Sequence, residues 1–165
     1  MPHQPVIDGL EFATTGAKLQ GSWPIADFRR LRDALHAEAG VLSYALQGVP
    51  EEQGCPALRL RVGGALQLIC QRCLGALEFP LRIEVSLLLA ATQDEIDTAP
   101  VEAEGPDCIL AGKEMQVHDL IEDELLLALP IAPRHESCFG QVPDAARANP
   151  MPFAGLRGLI GGTKH

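Results

Sequence analysis

A chain of 165 residues with 47% hydrophobic content is long enough to bury the core of one ordinary domain and too short for two. Its formal charge of −9, from 22 acidic against 13 basic residues, excludes the surface-wide positive field of a protein that coats nucleic acid, so any RNA contact has to be local or made through a basic partner. Aromatic residues at 4% supply few stacking platforms for single-stranded bases, and no apolar run reaches the roughly 18 residues of a membrane helix.

The first 21 residues carry two short apolar clusters, Val6-Ile7 and 10–13, expected to form an edge strand or an extended arm. Ser22-Trp23-Pro24 then predicts a helix over about 24–39: proline suits a first turn, Ile25, Phe28, Leu31 and Leu35 recur on one side, and Gly40 ends the run. Arg29, Arg30 and Arg32 fall on its solvent side. From Val41 the period changes to two, which predicts a strand over 41–49. After a loop comes a second strand with Leu58, Leu60 and Val62 inward and Arg59 and Arg61 outward. Gly63-Gly64 reads as a two-residue hairpin turn with 65–70 returning from it. Alternation resumes from Leu77 to Leu89 against Glu78, Arg82, Glu84 and Ser86, a long strand in which Pro80 suggests an edge or bulge.

Residues 92–107 have no period and are expected to be a mobile acidic loop; 11 of the 22 acids lie between 94 and 124, opposed there by Lys113 alone. Two short strands are expected at 108–110 and 115–117. Next, 117–129 predicts a helix with Val117, Leu120, Ile121, Leu125, Ala128 and Leu129 on its apolar face and Asp119, Glu122, Asp123 and Glu124 beside it. Pro130 stops it. One α+β domain over 1–160 follows: an antiparallel sheet of hairpin-connected strands packed by two main helices, with the acidic loop at about 92–107 and a disordered tail at 161–165.

Cys70 and Cys73, separated by two residues, are able to turn both sulfurs toward one point, and His135 and Cys138 repeat that spacing much later in the chain. Together they would satisfy the four-ligand count of a structural zinc site. Two other readings stand beside it: a thiol-redox pair, and two thiols in a turn that are unligated or the relic of a metal site. Cys55 and Cys108 read as small residues in or near strands. The odd total of five cysteines and the lack of a charged start leading into an apolar stretch point to a reduced, cytoplasmic protein.

Two charged sets are candidate contact surfaces. Asp119, Glu122, Asp123 and Glu124 form either a solvated helix flank or a docking face for a basic partner. Arg59, Arg61, Arg72 and Arg82 lie on or beside the strands flanking the cysteine turn and are the candidate RNA contacts. No Gly-rich phosphate loop, H-E-x-x-H or G-x-S-x-G motif is present, and His118 beside Asp119 reads as a helix-surface histidine, because adjacent helix residues point apart. An enzyme is not expected.

Leu68-Ile69-Cys70-Gln71-Arg72-Cys73-Leu74, the alternating strand and acidic loop after it, 119–130 with the sequence DLIEDELLLALP, Pro133, and the late Asn149-Pro150 with Pro152-Phe153-Ala154 together resemble the YceD family, the large ribosomal RNA subunit accumulation proteins. The likeness extends back to Phe12-Ala13, Gly21 and Arg30-Leu31, so it covers most of the chain in order. Some members carry more cysteines after the L-P-x-x-P stretch, where this chain offers His135 and Cys138. The resemblance implies a YceD-like domain and a non-enzymatic factor needed for synthesis, processing or stability of 23S ribosomal RNA. The negative charge favours a basic ribosomal or assembly protein, or a pre-ribosomal particle, as its partner. A cytosolic thiol-redox or metal-handling protein using the C-x-x-C pair is the alternative.

Overall fold

A computed structural model of the protein describes residues 4–98 and 105–138. In chain order the elements are β1 (Val6–Ile7), α1 (Gly9–Thr14), β2 (Lys18–Pro24), β3 (Leu35–Ala37), β4 (Val41–Glu52), β5 (Cys55–Ile69) and β6 (Ala76–Ala90). There follow α2 (Gln93–Thr98), β7 (Asp107–Leu110), β8 (Met115–Gln116) and α3 (Val117–Ala128). The architecture is mixed, with a mostly antiparallel sheet ordered β2-β4-β5-β6-β7, β3 paired to β5, and β7 parallel to β6. A separate two-stranded sheet joins β1 to β8.

The alternating segments form the strands expected of them. Along β5 the residues Leu58, Leu60, Val62, Leu66 and Leu68 are all buried, while Arg59 and Arg61 face the other way. That unbroken even-numbered phase overturns the predicted hairpin at Gly63-Gly64, since β5 continues straight through both glycines. They mark a change of neighbour: β4 pairs with β5 as far as Ser43 opposite Gly63, and β3 takes over at Leu35 opposite Leu68. A Cβ at Gly64 would lie 2.6 Å from Leu42 Cδ2 and 3.1 Å from the Val41 carbonyl, so the glycine is required by close approach and not by a turn. The tight turn lies instead at Gln53-Gly54, both at positive φ, where Glu52 faces Cys55.

The helix expected over 24–39 does not form. Pro24 ends β2 opposite Val41, and two 3-10 stretches follow, Ile25–Asp27 and Arg29–Ala34, interrupted at Phe28 (φ −85°, ψ 87°). Ile25, Phe28 and Leu31, all fully buried, recur at intervals of three, which is the 3-10 period and too short a repeat to sustain an α-helical stripe. Among the described residues there is therefore one substantial helix, α3, with α1 and α2 of six residues each, in place of two main helices. The expected acidic loop is also partly ordered, since 93–98 form α2. Residues 99–104 and the expected 161–165 tail lie outside the described residues.

The core forms where α3 and the 3-10 segments cover one face of the sheet. Val117, Ile121 and Leu125 repeat every four residues along α3 and pack in one cluster with Ile25, Phe28, Leu31 and the inward side chains of β4, β5 and β6. His118 belongs to this interior and not to the helix surface: it stacks on Phe28 at 4.6 Å and meets Trp23 edge-on at 5.3 Å, while Trp23 stacks on Tyr44 at 4.5 Å.

Candidate functional site

The turn between β5 and β6 closes on itself. Cys70 N–H donates to the Gly75 carbonyl at 2.9 Å, Leu74 N–H donates to the Cys70 carbonyl at 2.9 Å, and Leu74 takes φ 60°. This places Cys70 and Cys73 on the concave side of one tight loop. After Ala128 ends α3, Pro130 and Pro133 turn the chain back along that loop, and Gln71 N–H donates to the Pro133 carbonyl at 2.8 Å. Arg72 adds a second tie, donating to the Cys138 carbonyl at 3.0 Å. His135 and Cys138 then turn inward while Arg134, Glu136 and Ser137 are exposed.

The structure thus brings together the four residues that the sequence singled out in two distant pairs. Cys70 Sγ lies 3.7 Å from Cys138 Sγ, Cys73 Sγ lies 3.4 Å from His135 Nδ1, and all four donor atoms fall within 4.8 Å of one another. His135 Nε2 is 2.9 Å from the Ala76 carbonyl; donating its proton there leaves the Nδ1 lone pair facing the thiols. Burial opposes ionisation of Cys70, but the backbone N–H groups of Cys73, His135 and Arg72, with the Cys73 thiol, outweigh it and bring its pKa down to about 5. Cys138 is pushed up by burial and by the neighbouring Cys70 and Cys73 sulfurs. Such a cluster accommodates one thiolate readily and resists a second unless a cation joins it. The Cys70–Cys73 pair occupies a turn between two strands, where no helix of the described residues begins, unlike the usual placement of a redox pair. Cys55 and Cys108 lie elsewhere, lining a cavity of about 430 Å³ beside α2.

The four acids of α3 do not act as a unit. Asp119 and Asp123 are exposed, whereas Glu122 is 5% exposed and accepts the Arg30 backbone N–H at 2.8 Å. It tethers α3 to the second 3-10 segment, so the place expected for it on a docking face is taken by an internal role. The sequence held the signal, since 118, 121, 122 and 125 form one helical stripe. Glu122→Ala should leave that N–H unpartnered and cost about 1–3 kcal/mol in urea unfolding, with Asp123→Ala below about 1 kcal/mol because its bond to Arg30 is exposed.

Glu124 sits half-buried at a groove of about 710 Å³ between α3 and β7, where Asp107, Asp119 and Asp123 also line the wall and Ile109, Leu120 and Leu127 supply apolar surface. Burial, then Asp107 and Asp123, hold its carboxyl above the usual range. Asp107 belongs to the acidic run over 94–124 but not to the four acids of the expected contact set; the placement of β7 beside α3 joins it to them.

Arg59, Arg61 and Arg82 share the outer face of the sheet, but two of them are engaged: Arg59 with Glu52 at 3.2 Å and Arg61 with Glu84 at 3.0 and 2.6 Å. Arg72 belongs to the cysteine turn. Hence the candidate RNA contacts do not form one free cationic patch.

A family model described as "Large ribosomal RNA subunit accumulation protein YceD" matches residues 58–159, a stretch that holds most of β5, all of β6 and α3, and all four residues of the cysteine–histidine cluster. A curated relative, Large ribosomal RNA subunit accumulation protein YceD of Haemophilus influenzae, is 33% identical over 163 residues, covering 93% of each chain. No solved structure matches the chain at a significant level. In the described residues no helix is long and apolar enough to cross a membrane. With its motifs, their order and this match in agreement over most of the sequence, the chain belongs to the YceD family.

Proposed function

We propose that this protein is a non-enzymatic, cytoplasmic factor in the accumulation of 23S ribosomal RNA, and that it works by docking a basic ribosomal or assembly protein in the acidic groove between α3 and β7. The family name supports the ribosomal role. The groove itself is the observation that carries the mode of action. Asp107, Asp119, Asp123 and Glu124 line it against one cation among the described residues, Arg30, which is engaged with Asp123. The carboxyl of Glu124 is held up first by burial and then by Asp107 and Asp123, and a further cationic side chain seated there would offset the excess of negative charge. The apolar stretch of Ile109, Leu120 and Leu127 adds surface that a basic peptide with an apolar residue would cover. Direct binding of RNA is disfavoured by the charge of −9 and by the ion pairs that Arg59 and Arg61 would first have to release.

The test is charge reversal on two exposed acids of the groove, Asp107→Lys with Asp119→Lys, the second giving up a 3.5 Å contact with His118 Nδ1, so that retained folding is checked alongside. Capture of basic ribosomal proteins from nuclease-treated extract is expected to fall roughly tenfold, wild-type capture is expected to weaken as salt rises, and 23S rRNA is expected to drop in cells carrying only the variant. Arg59→Ala with Arg61→Ala should matter much less. Loss of 23S rRNA with the arginine changes but not with the acid reversals, in folded protein, would replace this reading with direct RNA contact.

A further inference from the structure

We infer that Cys70, Cys73, His135 and Cys138 bind one zinc ion in a closed tetrahedral site that fastens the segment after α3 to the β5–β6 turn. Zinc bonds of about 2.3 Å to sulfur and about 2.0 Å to nitrogen imply tetrahedral edges of roughly 3.8 Å between sulfurs and roughly 3.5 Å between sulfur and nitrogen. The structure places Cys70 and Cys138 sulfurs 3.7 Å apart and the Cys73 sulfur 3.4 Å from His135 Nδ1, with every remaining pair within 4.8 Å. The donor atoms already stand close to the corners of the required solid.

Direction agrees with distance. The bond from His135 Nε2 to the Ala76 carbonyl fixes the tautomer in which Nδ1 is the free donor, the outer support that ligating histidines ordinarily have. Three thiolates and one imidazole are too soft for magnesium or calcium and suit zinc, and four protein donors leave no open position, which makes the ion structural and not catalytic. Three thiolates around a divalent ion carry a net charge of −1, and the Arg72 guanidinium held at the Cys138 carbonyl lies on hand to offset it. Each coordinated thiol gives its proton to solvent, so no oxidant or reductant enters.

The segment also needs such a clamp. Residues 130–138 bury little of their own surface, and Ile131 is 104% exposed. Their ties to the sheet are the backbone bond at Gln71, the Arg72 bond, the His135 bond to Ala76 and the cluster itself. A second group, His118 with Asp119 and Glu122, has donor atoms equally close, but Glu122 already holds the Arg30 N–H and His118 Nδ1 already faces Asp119 at 3.5 Å. Its unpartnered nitrogen, His118 Nε2, is buried, and the group offers no thiolate and only three donors.

The experiment uses the full chain purified without a histidine tag, analysed for metal by mass spectrometry and, after chelation, titrated with Co²⁺ as a spectroscopic probe. One equivalent of zinc is expected, with intense visible cobalt bands of a tetrahedral ion and thiolate charge transfer. Cys55→Ser with Cys108→Ser should leave both unchanged, and Cys138→Ser should weaken cobalt affinity by at least about tenfold. Because Cys138→Ser is itself liable to misfold, His135→Cys provides a second arm: it should keep one equivalent and shift the cobalt bands to the red as sulfur replaces nitrogen. Less than about a tenth of an equivalent after incubation with zinc, thiols intact, would overturn the site, as would weak octahedral cobalt bands or bands in His135→Cys identical to those of the parent chain.

Discussion

Leu125→Ala is expected to lower the unfolding free energy by roughly 2–5 kcal/mol, measured by urea denaturation. Leu125 is fully buried and stands one turn beyond Ile121 and two beyond Val117 on the stripe of α3 that covers the sheet. Truncation removes its side chain from contact on every side, and the walls of the resulting void belong to β-strands and 3-10 segments whose hydrogen bonds resist collapse. The neighbouring Leu127, 73% exposed, provides the contrast, and its alanine variant should change stability by less than about 0.5 kcal/mol. A loss below about 1 kcal/mol at Leu125 would mean that α3 does not hold the core.

Gly48→Ala should be comparably damaging, at about 3 kcal/mol, for the opposite reason. The short helix α1 lies directly on β4 at this point, with Gly48 N–H donating to the Ala17 carbonyl at 2.8 Å. A Cβ at Gly48 would run into the Phe12 carbonyl oxygen and lie 2.8 Å from its carbon and 2.9 Å from Ala13 Cα. These are backbone atoms of a helix whose Ala13 is fully buried, so no side chain is free to swing aside and α1 has to lift from the sheet. Gly63→Ala is the control: its Cβ would meet only Ser43 Oγ at 3.7 Å, and exchange of glycine for alanine in a strand should be neutral or stabilising by up to about 1 kcal/mol. Equal losses at the two positions would show that strand flexibility, and not the seating of α1, sets the cost.

The sequence by itself determined the alternating strands, the long helix α3, the segregation of acids and the family, because each is written in local period, composition or motif order. It misled at 24–39 and at Gly63-Gly64 for physical reasons: residues spaced by three satisfy both helical types over one turn, and a glycine pair serves a close crossing as well as a turn. Only the tertiary structure decided which residues meet. Cys70 faces Cys138 across 68 positions, and Glu122 reaches the Arg30 N–H across 92. Asp107 likewise joins the α3 acids only because β7 runs beside β6 and returns the chain to that helix. Local period records which side of an element is apolar, but it does not record what that side packs against. Partner choice over such distances depends on strand register and on where α3 lands, and those are set by the packing of the whole core.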